Sequence, residues 1–177
     1  MTKLIADPLL TAAKIVIWIL QAIVLLVAAC ILLGIAAMML DVVDVRQQLI
    51  DQGVPERWFW LVYVGFAAIA AILGLWFRFL QLLRQVIGSV GLGDPFAPEN
   101  GDRLSRMGWL VVGTYVLALP LGLVAGFVAR NIDSDGSRMM VDVDGGGGGL
   151  ILVLTLFILA RVFRHGTAMR EELEGTV

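Results

Sequence analysis

The sequence predicts an all-α integral membrane protein: four transmembrane helices in an antiparallel bundle, with both termini on the cytoplasmic side. Three observations carry this. Hydrophobic residues make up 59% of the chain and charged residues only 16%, against roughly 25% charge in a soluble domain. The apolar residues are gathered into four long runs, and lysines and arginines are shared unequally between the segments that join them. A chain of 177 residues holds four spans of roughly 20 residues with short connections and no separate soluble domain. Residues 1–177 are therefore read as one domain, with spans at about 13–40, 58–79, 107–128 and 147–163. An inner loop covers 80–106, and outer loops cover 41–57 and 129–149.

The first run, Ala12 to Leu40, is broken only by Lys14 and Gln21. It is too long for a signal-peptide core, and no cleavage site with a polar mature sequence follows it. Lys14 is expected to reach the headgroups along its aliphatic stem, with Trp18 at the interface. Gln21 is expected to bond a neighbouring helix. Cys30 has no cysteine to pair with and is read as a small packed hydrophobe.

The second span opens on Trp58, Phe59, Trp60 and Tyr63. Ala67, Ala70, Ala71 and Gly74 fall on one helical stripe, which predicts a close-packing face. Beyond Phe79 an apolar rhythm through Leu83 and Val90 alternates with Arg78, Gln81, Arg84 and Gln85, so the helix is expected to continue as an amphipathic stalk at the membrane surface. Gly88, Gly91 and Gly93 should end it.

Asp94-Pro95 marks a turn, and Pro98 suits the start of the next helix because its missing N–H costs nothing there. Glu99 with Arg103 and Asp102 with Arg106 have the spacing of helical ion pairs. The third span should run straight on from them, kinked at Pro120, with Gly122 and Gly126 at a helix contact. In the second outer loop, Asp133, Asp135, Ser137 and Asp144 match four positions of a calcium loop, but Arg138 stands where the loop needs glycine and Asp144 where it needs glutamate. No metal is therefore expected. The fourth run, Leu150 to Phe163, is short and must borrow the preceding glycines, tilt little or thin the bilayer.

Placing both termini and the central loop inside collects Lys3, Lys14, Arg78, Arg84, Arg103, Arg106, Arg161, Arg164 and Arg170 on one side. Arg46, Arg57, Arg130 and Arg138 remain outside. Nine against four is a clear positive-inside bias. The central parts of the spans hold no ionisable group for an ion-coupled transporter, and a single histidine, His165, excludes a bis-histidine haem within one chain. No zinc cluster, phosphate-binding loop or nucleophile elbow is present. An enzyme is not expected, nor is a cofactor. The net charge of −2 gives no reason to expect direct nucleic-acid binding.

At Asp94-Pro95-Phe96, Asn100, Arg103-Leu104 and Gly108 the central loop resembles the signature of a bacterial four-span membrane family catalogued as domain of unknown function 2975. The ending is similar too: Ala160-Arg161-Val162-Phe163-Arg164-His165-Gly166, then Met169, Glu171-Glu172 and Thr176-Val177. The resemblance spans essentially the whole chain. It implies a bacterial inner-membrane protein whose relatives are often encoded beside a small helix-turn-helix regulator, and hence a membrane partner or sensor docking such a regulator. The candidate interaction residues are Asp94, Pro95, Phe96, Asn100, Arg103 and Leu104. The same residues also suit a structural role, capping the loop and fastening the tail against it. A small permease or export subunit, homo-oligomeric or not, and a structural envelope protein without ligand are the alternatives.

Overall fold

The computed structural model describes residues 8–39, 47, 51, 59–132 and 148–174. The two loops expected to be outer, with the calcium-like aspartates, lie outside the described residues, apart from a few positions. Four long helices account for almost all of what is described: α1 (Pro8–Met39), α2 (Phe59–Gly91), α3 (Pro98–Ile132) and α4 (Gly148–Glu174). No strand occurs among the described residues. Each helix is long and apolar enough to cross a membrane, and the chain is a multi-pass membrane protein. A helix is the one open-chain structure that satisfies every backbone N–H and C=O without water, which is why apolar runs of this length fold this way.

Packing follows chain order, α1 against α2, α2 against α3 and α3 against α4. The start of α1, the end of α2, the start of α3 and the end of α4 meet at one end of the molecule. Gly91 lies beside Leu10 and Lys14, Arg84 lies over Trp18, Gly101 lies beside Arg164, and Arg170 pairs with Asp94. The arginines and the lysine assigned to one side by the charge count thus gather there, Lys3 being outside the described residues. We call this the basic end.

The core is built in this half, from Phe79 and Leu82 of α2, Leu104, Met107 and Val111 of α3, and Leu156 and Ala160 of α4. The apolar rhythm after Phe79 is real: Phe79 lies in this core and Leu83 packs against it, while Val90 is exposed. The segment is one helix with the span, α2 running unbroken to Gly91.

Close packing falls elsewhere than predicted. Ala67, Ala71 and Gly74 are exposed and Ala70 is half-buried, and a Cβ at Gly74 would meet nothing. At Gly126, too, a Cβ would meet open space. The close approach is instead between α3 and α4, through Gly101, Gly108 and Gly149, and between α4 and the loop before α3, through Gly166. A Cβ at Gly101 would come 2.6 Å from Cγ of Arg164 and 3.3 Å from the carbonyl oxygen of Ala160. The Phe157 ring lies over Gly108, and Tyr115 fills the space beside Gly149. Among the described residues α4 begins at Gly148, with Gly149 beside Tyr115 of α3.

The short fourth run is lengthened by taking Gly148 and Gly149 into the helix, as expected. Pro120 lies inside α3 without ending it. Gln21 is buried, and faces the polar stripe of α2.

Candidate functional site

The six candidate residues lie in the connection between α2 and α3 and the first turns of α3, at the basic end. Its geometry starts from one glycine. Gly93 has φ of 84°, a left-handed conformation open to glycine at little cost. Its N–H donates to the Val90 carbonyl at 3.0 Å, and the Asp94 N–H donates to the Ser89 carbonyl at 3.1 Å. This paired closure is the Schellman motif, which satisfies the last free carbonyls of a helix. It turns the chain so that Pro98 can open α3 shortly after α2 ends at Gly91, as the sequence predicts.

Asn100, wholly buried, ties the two helices together. Its side-chain amide donates to Ser89 Oγ at 2.7 Å and to the Pro95 carbonyl at 3.0 Å. Its Oδ1 accepts from Arg103 Nη1 at 2.8 Å, and Ser89 Oγ donates onward to the Val86 carbonyl at 2.7 Å. Arg103 therefore turns to Asn100 rather than to Glu99, and neither expected ion pair, Glu99–Arg103 or Asp102–Arg106, is formed. A buried polar group is costly unless partnered, and here the partners are complete. Leu104, one residue further on, is buried in the core.

The remaining candidates face α4. Asp94 accepts from Arg170 at 2.7 Å. The Phe96 ring stands 5.6 Å from that of Phe163, and the Phe96 carbonyl accepts from Thr167 Oγ1 at 3.0 Å. A Cβ at Gly166 would lie 2.7 Å from the Phe96 ring, so glycine there is what lets the loop seat on the tail. Together these contacts form a clasp: loop and tail, far apart in the chain, make one surface. Pro95 contributes its carbonyl to Asn100 and is otherwise exposed.

The Asp94–Arg170 pair is about half exposed, its side chains at 44% and 52%, and exposed pairs contribute little. Asp94→Asn is expected to lower stability by well under about 1 kcal/mol, visible as a small shift in thermal unfolding in detergent. A large loss would mean that the carboxylate carries more than this pair.

Sequence reasoning found the loop residues but not their partners Ser89, Thr167 and Arg170, nor Gly101. One signal was available for the last: Gly101 and Gly108 stand seven residues apart, on one helix face.

Beside the clasp, Phe96, Arg161, Val162, His165, Gly166 and Met169 line an open groove of about 470 Å³. Phe96, Val162 and Met169 are 42%, 55% and 51% exposed. Among the described residues no group of His, Cys, Asp and Glu is arranged to hold a metal ion. Residues 47–177 match the model of a family described as Protein of unknown function (DUF2975). The match takes in α2, α3 and α4 and leaves out α1. No curated protein and no solved structure matches the chain.

Proposed function

The chain belongs to the DUF2975 family, and from that premise we propose that it is a non-enzymatic membrane partner of a small helix-turn-helix regulator, which docks on the clasped basic end. In this reading the basic end faces the bacterial cytoplasm, as the positive-inside bias favours. One observation carries it. The groove of Phe96, Val162 and Met169, flanked by Arg161 and His165, is an apolar patch with a polar rim at the end of the bundle where the basic residues gather. Such a patch has the anatomy of a protein-binding surface, with apolar anchors at the centre and polar groups around them. The clasp holds it in one shape before any partner arrives, which reduces the ordering cost of binding.

The geometry also selects the variants for the test. Arg103 and Asn100 hold the loop together, so substituting them would disturb the fold along with any docking. Val162 and Met169 have side chains that are half exposed. We expect crosslinking and recovery of the tagged protein from its native membrane to bring down a small DNA-binding protein, and Val162→Asp/Met169→Asp to reduce that recovery at least tenfold with the protein still in the membrane. Equal recovery from both would move the docking site elsewhere. Recovery of the protein alone would leave the clasp as a purely structural device, and with it the envelope-protein reading.

A further inference from the structure

A second site lies on the other side of the molecule, between α1 and α2. Trp18, Gln21, Ala22 and Leu25 of α1 face Phe77, Arg78, Gln81, Arg84 and Gln85 of α2 across an open cleft of about 660 Å³. Its lining is divided. Arg84, Gln85, Gln81 and Gln21 form a polar stretch towards the basic end, whereas Ala22, Leu25 and Phe77 are apolar and lie further into the bilayer, where Arg78 stands beside Phe77 with its guanidinium turned back to Gln81.

The charge in the cleft is unbalanced. It contains two guanidinium groups and no carboxylate. Among the described residues neither Arg78 nor Arg84 forms an ion pair. Arg84 lies over the Trp18 ring, 4.5 Å from its centroid, and Arg78 donates to Gln81 Oε1 at 2.9 Å. Arg78 stands six residues before Arg84, about 9 Å deeper along the helix. It follows directly on the apolar run that ends at Phe77. A guanidinium at that depth is expensive unless it reaches the headgroup layer or meets an anion. Its hydrogen bond to Gln81 is made in the direction of the basic end, so the charge is drawn towards the headgroup layer. Among the described residues no carboxylate meets it there.

We propose that the cleft binds the phosphate headgroup of an anionic phospholipid. The phosphate oxygens would accept from Arg84 and Arg78, with the Gln81 and Gln85 amides as neutral donors. A guanidinium presents a planar fork that suits phosphate and gives charge-assisted hydrogen bonds. The first methylenes of the acyl chains would lie along Ala22, Leu25 and Phe77. A lipid is favoured over free phosphate because the cleft is amphipathic in the direction of a lipid's own polarity and opens sideways between two membrane helices.

The test uses the full chain purified in a neutral detergent, with native mass spectrometry against phosphatidylglycerol and phosphatidylcholine. The expected result is retention of phosphatidylglycerol at least tenfold over phosphatidylcholine, and a roughly tenfold loss in Arg78→Gln/Arg84→Gln, the scale set by losing a charge-assisted hydrogen bond. Arg161→Gln/Arg164→Gln, on the far helix, should retain it. Equal retention of the two lipids would overturn the proposal, as would a loss of the same size from both double variants, which would mean diffuse attraction to the basic end. Displacement of the lipid by millimolar inorganic phosphate would overturn the lipid assignment in favour of a free-anion site. Should the α2 variant fail to fold, the wild-type protein decides. A headgroup-proximal photoreactive phosphatidylglycerol should crosslink to residues 18–25 and 77–85, and crosslinks confined to other segments would overturn the proposal.

Discussion

Asn100→Leu is expected to lower the stability of the protein in detergent by about 3 kcal/mol. The figure follows from what the change leaves behind. Asn100 is wholly buried and makes hydrogen bonds to Ser89, Pro95 and Arg103. Leucine is close in size but satisfies none of them, and each deserted buried partner costs roughly 1–3 kcal/mol, more where it is charged. Ser89 keeps its bond to the Val86 carbonyl, and Arg103 is partly exposed and can turn to water. These two reliefs hold the sum to the middle of the range. Thermal unfolding of wild type and variant in the same detergent measures it. A loss below about 1 kcal/mol would show that the chain of bonds from Arg103 to Val86 is replaceable by water.

Gly101→Val should be comparably severe, for a different reason. A Cβ at this position would meet the flexible side chain of Arg164, which can move, and the backbone carbonyl of Ala160, which cannot without displacing α4. Valine adds two methyl groups to that conflict. Overpacking costs about 1–3 kcal/mol in ordinary cores, and the upper part of that range is expected here because the obstacle is backbone. The readout is separation of α3 from α4 at the basic end. In a background carrying Asp94→Cys and Arg170→Cys, the crosslink between the two introduced thiols should form readily with Gly101 present and fall at least severalfold once Gly101→Val is added. Unchanged crosslinking would mean that α4 slides rather than separates.

The helices were legible in the sequence because the bilayer imposes one rule, that backbone groups be satisfied within the segment, and apolar run length then identifies the spans. The chain turn between α2 and α3 was legible for a related reason. Gly93, Pro95 and Pro98 restrict their own backbone, so their effect is local. The packing faces were not. Ala67, Ala71 and Gly74 resemble a contact stripe as closely as Gly101, Gly108 and Gly166 do, and in lipid an exposed small residue carries no penalty that would betray it. The pattern records which residues permit close approach, not whether a neighbour takes it. Ion pairing misled for a similar reason. Arg103 has Glu99 at ideal helical spacing, but a buried amide oxygen needs a donor more than an exposed carboxylate does. Asp94 and Arg170 stand 76 positions apart, and nothing local to either one names the other. Gln21 was expected to meet a neighbouring helix, and it does face α2, but across a cleft whose charge only the assembled helices reveal.

The chain-order packing of the four helices bears on how the molecule is made. Each helix, as it leaves the ribosome and partitions into the membrane, finds its chief partner already inserted one step ahead of it. Little of the fold waits on distant sequence, so contact order is low and entropy of closure small. The exception is the fastening of the α4 tail onto the loop before α3, which can form only once α4 itself has been made. Assembly is therefore vectorial, and the latch at the basic end follows the insertion of α4. A nascent chain halted before Thr167 would hold the apolar run of α4 and still lack the surface that loop and tail make together.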